Sequence, residues 1–227
     1  MILFFREGAM FKVKVWDGFV RSFHWLLVLS IAALYFSAEE GMIELHFVVG
    51  FFTLALISTR IIWGLIGSKT ARISALLHSP KSVLASLSGK KINDVGHSAP
   101  GSYMVLLFFI LLIAQLVSGL MSSDGILTDG PLAQYVSSDT IDFANWLHHI
   151  NFDILFYAII LHVVAIIAYK VKGKPLVKAM ITGNKALATK SSEPETKSPW
   201  VAWVIFLLLL VLLMSTWGSE HLSYLLS

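Results

Sequence analysis

Four histidines lie at matching positions in the apolar segments of this chain, and their imidazoles are groups that can bind a metal ion. His148 and His162 are fourteen residues apart in one apolar stretch, His24 begins the first such segment and His46 begins the second. An ionisable side chain inside a bilayer is costly, so each of the four is a candidate functional residue. Two neutral imidazoles facing each other across an iron are the axial ligands of a six-coordinate b-type haem. The quartet therefore predicts a membrane protein that carries two haem b groups.

The composition supports a membrane protein independently of the histidines. Hydrophobic residues make up 56% of the chain, charged residues make up only 14%, and the mean hydropathy is +0.76. A soluble domain has roughly 25% charged residues. The fold class expected is all-α, a transmembrane helical bundle, because helices satisfy their own backbone in lipid. The five segments long enough to cross, at about 20 apolar residues each, are Val20–Phe36, Leu45–Ile66, Met104–Met121, Phe143–Tyr169 and Trp200–Trp217.

The positions of Lys and Arg predict how these five segments are oriented. All 17 fall in three stretches, residues 6–21, 60–91 and 170–197, which five crossings bring to one side. The loops on the opposite side carry acidic residues and no Lys or Arg, and the longest of them contains Asp124, Asp129, Asp139 and Asp142. The positive-inside rule then puts the N-terminus in the cytoplasm and the C-terminus outside. This orientation explains the pI near 9.1, and no nucleic-acid binding is expected.

The chain contains no cysteine, which excludes disulfides, Cys-ligated iron–sulfur clusters and covalent CxxCH haem attachment. Any haem must therefore be bound non-covalently. Residues 186–199, rich in Ser, Thr, Lys and Glu, are predicted to be a flexible cytoplasmic linker. The linker separates a four-helix domain, residues 1–185, from a C-terminal transmembrane helix and short outer tail, residues 200–227. Met1 and Met10 are both possible starts of the chain.

Depth in the bilayer pairs the four histidines two by two. The fourth segment runs inward from His148 to His162, a distance of fourteen residues. Fourteen residues of α-helix rise about 21 Å and leave the two side chains within about 40° of each other. We therefore expect His24 to pair with His162 on the cytoplasmic side and His46 to pair with His148 on the outer side.

Two neighbours of this quartet have competing interpretations. His149 competes with His148, but it would point about 140° away from His162 on the same helix, so the ligand role is assigned to His148. Gly50 lies one turn below His46, where the missing side chain would let a porphyrin approach the backbone. Ordinary small-residue helix packing explains Gly50 equally well. His78, His97 and His221 lie in loops or near the C-terminus and are assigned no role.

Several short pieces of the chain resemble the bacterial cytochrome b561 and nickel–iron hydrogenase cytochrome b subunit family. They are VWDGFVRSFHW (Val15–Trp25), HFVVG (His46–Gly50), RIIWGLIGSKTAR (Arg60–Arg72), the SG of Ser118–Gly119 and the histidine pair of the fourth segment. The resemblance covers residues 15–185. It implies a four-helix dihaem bundle and makes His24, His46, His148 and His162 the haem ligands. The fifth helix is an addition to the family pattern, and we expect it to serve in partner docking or dimerisation.

Arginines in the resembling pieces are candidates for binding haem propionates. Arg60 and Arg72 would do so through a bidentate fork, and their alternative use is as positive-inside anchors. Arg21, three residues before His24, lies on the same side of its helix and could act in the same way. The cofactor-binding residues expected are His24, His46, His148, His162, Arg60, Arg21 and Gly50.

The resemblance implies electron transfer across the bacterial cytoplasmic membrane, between quinone in the membrane lipid and a periplasmic redox partner. That partner would be a c-type cytochrome or a redox enzyme subunit such as a hydrogenase, and a basic patch on it would suit the acidic outer loops. Two alternatives remain open. The protein could be an enzyme that oxidises a small molecule such as superoxide and reduces quinone, or a non-redox membrane protein that uses its histidines for protons or metal.

Overall fold

A computed structural model describes residues 11–88, 96–126, 128–187 and 193–227. Within these ranges five helical segments have the length and hydropathy of membrane spans, so the expected all-α bundle is confirmed. One turn of π-helix, Met214–Gly218, joins the last two helices into a single rod. In chain order the elements are strand β1 (Phe11–Lys14), helices α1 (Gly18–Glu39), α2 (Ile43–Ile66), α3 (Pro80–Leu87), α4 (Ala99–Met121), α5 (Ser138–Val171) and α6 (Leu176–Thr182), strand β2 (Asn184–Leu187), and helices α7 (Trp200–Leu213) and α8 (Ser219–Leu226).

The spanning helices run further than the apolar segments of the sequence, because polar caps set their ends. Asp17 caps α1 by accepting a hydrogen bond from the Val20 amide at 2.8 Å. Ser98 and Ser137 cap α4 and α5 in the same way. At the other end of α1, Gly41 takes a left-handed φ of +67°, which lets the chain reverse into α2 within three residues. We call the end of the bundle at this turn the outer end, and the opposite end the inner end.

The four helices α1, α2, α4 and α5 form two antiparallel pairs. Helix α1 packs along α2 and α4 packs along α5, whereas contacts between the two pairs are few and are made chiefly by α2 and α4. His24 and His46 belong to the first pair, and His148 and His162 belong to the second. The loosely packed interface between the pairs is therefore the interface that the four histidines share.

The fifth span packs against α2 rather than standing apart. Ala202 and Phe206 of α7 are buried, and the Phe206 ring meets Phe52 of α2 edge to face at 5.3 Å. Trp203 meets Phe19 of α1 at 5.4 Å. The sequence analysis predicts that this helix serves in partner docking or dimerisation. One of its faces is, however, already packed against other helices of this chain.

At the inner end, a short sheet and several hydrogen bonds hold both ends of the segment that is predicted to be a flexible linker. Strand β1 pairs antiparallel with β2, so pairing continues to Leu187, past the expected boundary at residue 185. Lys197 donates its amide to Ser68 Oγ at 2.9 Å and its Nζ to the Ile66 carbonyl at 2.7 Å. Residues 188–192 of the expected linker, like Met1 and Met10, lie outside the described ranges.

Candidate functional site

Two histidines face each other at the outer end, from the first turn of α2 and the third turn of α5. The ring centroids of His46 and His148 are 6.4 Å apart and their planes are inclined by 71°. A metal–imidazole bond is about 2 Å long, so two imidazoles bound on opposite sides of one metal ion have centroids roughly 6 Å apart. The separation of these two rings therefore fits a shared iron.

The ring of His46 is oriented by α1. Its Nδ1 lies 3.0 Å from the Leu34 carbonyl oxygen and 3.3 Å from Ser37 Oγ. A carbonyl only accepts hydrogen bonds, so Nδ1 carries the proton and Nε2 keeps its lone pair. This is the tautomer that a metal ligand needs, held by a partner behind the ring.

The ring of His148 is oriented in the same way by α4. Its Nδ1 lies 3.0 Å from the Gln115 carbonyl oxygen and 3.2 Å from Ser118 Oγ. The Gln115 side chain donates to the His148 carbonyl at 3.0 Å and accepts from Asn151 Nδ2 at 2.7 Å. Gly119 lies against the ring, since a Cβ there would be 2.9 Å from His148 Cε1. His149, in contrast, is exposed.

Sequence reasoning assigned no role to the residues that hold these two rings. Gln115 and Asn151 are polar residues in apolar helices, and such residues are uncommon enough to be a signal. Ser118 and Gly119 form a pair of small residues, which is typical of close helix contacts in membranes. The backbone carbonyl of Leu34 gives no signal in a sequence, because every helical residue has one.

The inner end brings His24 of α1 and His162 of α5 together. The two side chains are close enough to interact electrostatically, and the Phe108 ring of α4 meets His162 edge to face at 5.6 Å. Nδ1 of His24 is buried and has no hydrogen-bond partner within the described ranges. The inner pair is thus less completely held by the chain itself than the outer pair.

Arg60 is another residue at the inner end with a buried polar atom that has no partner among the described residues. Its side chain is 3% exposed, and its Nη1 finds no acceptor within the part of the chain that the structure describes. The guanidinium lies 5.9 Å from the Phe23 ring centre and 5.6 Å from that of Phe109. A buried donor without an acceptor costs about 1–3 kcal/mol, so Arg60 is suited to bind a carboxylate that this chain does not supply.

Asp17 is close enough to Arg60 for the two charges to interact, but its carboxylate already has two donors. Its Oδ1 accepts from the Val20 amide at 2.8 Å and its Oδ2 accepts from Trp63 Nε1 at 3.0 Å. The Asp17 carboxylate therefore caps α1 and ties α1 to α2, and Arg60 keeps a free donor beside it.

The two remaining predicted site residues differ in their surroundings. Arg21 donates from Nη1 to the Ile181 carbonyl at 2.7 Å and from Nε to the Asp17 carbonyl at 3.3 Å, so it links α1 to the segment around α6. A Cβ built on Gly50 would meet nothing within 4 Å. Open space beside this backbone, one turn from His46, is what close approach of a flat ring requires. Of the two candidate arginines, Arg60 and not Arg21 has a buried donor without an acceptor among the described residues.

His97, which the sequence left without a role, is packed beside this inner cluster. Its ring lies 4.4 Å from that of Trp16. Burial, together with the smaller effect of the nearby Arg60, Lys185 and His78, lowers the pKa of His97 to about 3. His97 is therefore neutral at physiological pH and does not add to the positive charge of Arg60.

Within the described ranges no three His, Cys, Asp or Glu side chains cluster as a metal site would require. A family model described as prokaryotic cytochrome b561 matches residues 15–183, which run from just before α1 to just after α6. No curated protein and no solved structure matches the chain.

Proposed function

This chain belongs to the prokaryotic cytochrome b561 family, and from that premise we propose that it transfers electrons across a bacterial cytoplasmic membrane through two haem b groups. Membership makes it a multi-pass membrane cytochrome that binds haem b and transfers electrons. The proposal adds the number of haems, the quinone pool on one side of the reaction and a periplasmic redox partner on the other. The observation that carries it is the His46–His148 pair, with rings 6.4 Å apart.

We assign the outer haem to His46 and His148 and the inner haem to His24 and His162. Haem held by these histidines would supply one-electron redox chemistry. The chain's own residues fix what surrounds it. Leu34 and Gln115 hold the outer imidazoles in the neutral tautomer through their carbonyl oxygens, which keeps Nε2 available as a ligand at neutral pH.

Arg60 is the proposed partner of a haem propionate at the inner end. Its free Nη1 would gain an acceptor and its buried charge would gain a counter-charge, which removes the cost of leaving both uncompensated. Arg21 remains a second candidate for this role, with two of its donors already given to backbone carbonyls. Gly50 is proposed to leave room for the outer macrocycle beside α2.

The two histidine pairs are far enough apart for an electron that passes between their haems to cross most of the bilayer. His148 and His162 are fourteen residues apart on α5, which corresponds to about 21 Å of helix in a hydrocarbon core about 30 Å thick. With the positive-inside orientation, the outer pair would face the periplasmic partner. The inner pair would lie near the cytoplasmic side.

Purified protein is expected to contain two haems per chain, released by acidic organic solvent because no cysteine tethers them. The measurement is a pyridine haemochrome assay set against the protein concentration, followed by extraction. One haem per chain would contradict the two-tier assignment while keeping the family function. A colourless protein, or pigment that resists extraction, would contradict haem b binding itself.

Electron exchange with a basic periplasmic partner is expected to slow as ionic strength rises. Asp139 and Asp142 are exposed at the start of α5, and the outer loops contain no Lys or Arg to offset them. Screening lengths fall to about 8 Å at 0.15 M salt, so steering by these charges should weaken between low and physiological salt. Stopped-flow association rates with a soluble c-type cytochrome measure this effect.

The choice of acidic residues to replace follows from their contacts. Asp124 accepts hydrogen bonds from the amides of Ile126 and Thr128, and Asp129 accepts one from Ser123 Oγ, so both hold the loop. Replacing Asp139 and Asp142 with Asn should therefore lower the association rate without disturbing the loop, and replacing all four should lower it further. Lys172→Gln at the inner end is the matched control. An association rate that depends neither on salt nor on these charges would favour superoxide or another small molecule as the outer reactant.

A further inference from the structure

The C-terminal rod reaches the turn of α2 that carries His46. Nδ1 of His221, in α8, donates to the Glu44 carboxylate. The His221 ring also stacks on Phe47, with centroids 4.3 Å apart and planes 8° apart. Glu44 and Phe47 are three residues apart and share one face of α2, whereas His46 points about 100° away from Phe47. The first turn of α2 is thus held on one face by α8, and on another by the contact of His46 with α1.

A helix irregularity makes the contact with His221 possible. The π-turn Met214–Gly218 accommodates one extra residue, which rotates the segment that follows by about 100°. In an uninterrupted α-helix counted from Leu213, residue 220 would face α2 and bring Glu220 towards Glu44. With the π-turn, the imidazole takes that position and Glu220 is exposed.

Close approach of the rod also depends on Gly218. It is buried, and a Cβ there would lie 3.2 Å from a Phe51 ring carbon and 2.6 Å from the sulfur of Met214. Phe51 lies one turn after Phe47 and contacts Trp217 with ring centres 6.2 Å apart. The rod therefore meets α2 through a continuous set of ring contacts that ends at the His221–Glu44 pair.

We propose that the C-terminal rod, which lies outside the family-matched residues 15–183, is a built-in support for the outer haem site. In it His221 acts as a positioning residue that fixes the first turn of α2, and through that turn the orientation of His46, and compensates the Glu44 charge beside the site. This rests on the proposed function, since it takes His46 to be a ligand of the outer haem. A single partly exposed side-chain contact of this kind stabilises a fold by at most about 1 kcal/mol, so the effect should appear at the haem rather than in overall stability.

The test is a spectroelectrochemical titration of the full-length, haem-loaded protein, with low-temperature EPR of the ferric haems. His221→Phe keeps a ring to stack on Phe47 but removes the donor to Glu44. The uncompensated carboxylate then favours ferric iron, so the outer midpoint potential should fall. The ratio of reduced to oxidised outer haem at a fixed potential should change by about threefold or more. Glu44→Gln should move the outer potential in the opposite direction, and the inner haem should not respond to either change.

Two further variants complete the test. His221→Gln restores a donor and should return the outer potential and EPR signal towards those of the unmodified protein, including any outer haem lost in His221→Phe. Glu220→Gln removes an acid from the same rod without touching α2 and should leave the outer potential unchanged. An outer haem with unaltered potential and EPR signal in His221→Phe overturns the proposal, as does an equal response to Glu220→Gln. Absence of haem from the unmodified protein would instead overturn the proposed function.

Discussion

Replacing His148 with alanine is expected to remove the outer haem and leave the inner haem bound. The ring of His148 is the only imidazole within the described ranges that faces His46, and its Nδ1 is anchored to α4 by Gln115 and Ser118. The inner pair is about four helical turns away along α5, and no hydrogen bond of the outer network reaches it. The haem content should fall to about half, which the Soret absorbance per protein measures directly.

The matching change at the inner end is His162→Ala, which should remove only the inner haem. His149→Ala is the control for both, since His149 neighbours His148 in sequence but is exposed, and it should keep two haems. Circular dichroism identifies any variant that fails to fold. If His149→Ala loses the outer haem while His148→Ala retains it, the assignment of these two neighbours is reversed. Loss of both haems from either single variant would show that the tiers do not bind independently.

The spans and the histidine pairs were accessible from sequence because each depends on one regular property of a helix. Hydropathy identifies the apolar centre of a span, and a rotation of about 100° per residue decides that His148, rather than His149, shares a face with His162. The five spans are confirmed. In the structure His148 lies opposite His46 and His149 is exposed, and the assignment of His148 as a haem ligand stays a prediction. Arg60 was named as a candidate through the resembling piece Arg60–Arg72, and its role towards a propionate stays a prediction.

The supporting residues were not accessible, because their roles depend on which helices are neighbours. Leu34 acts through its backbone carbonyl, and nothing in the sequence distinguishes that carbonyl from others in α1. The fifth helix is apolar all round, so it gives no sign of the face that packs on α2. The sheet of β1 with β2 joins two strands of four residues that flank the family-matched region on either side, and such short, distant segments carry no detectable periodicity. His221 was assigned no role because the sequence does not reveal the π-turn that directs its ring to Glu44.

Gly119→Ala is expected to disrupt the outer haem site although it changes no ligand. A Cβ at this position would lie 2.9 Å from Cε1 and 3.2 Å from Nδ1 of His148. The ring would have to move, and moving it breaks the contacts of Nδ1 with Gln115 and Ser118 on the same helix that carries the new methyl group. Alanine is favoured over glycine in a helix by up to about 1 kcal/mol, so helix propensity alone would make the variant as stable as the unmodified protein or more so.

The result is diagnostic because helix propensity and the packing against His148 act in opposite directions: the outer haem should be lost or its EPR signal altered while circular dichroism shows that the helices remain formed. Val117→Leu is the matched control, because Val117 lies two residues earlier on α4 with its side chain 44% exposed, and an added methylene there has room. We expect it to keep two haems with unchanged spectra. If Gly119→Ala binds both haems with the outer spectrum intact, the His148 ring can shift in spite of its two Nδ1 contacts. The geometry of His46 and His148 described above would then be wrong as the geometry that binds iron.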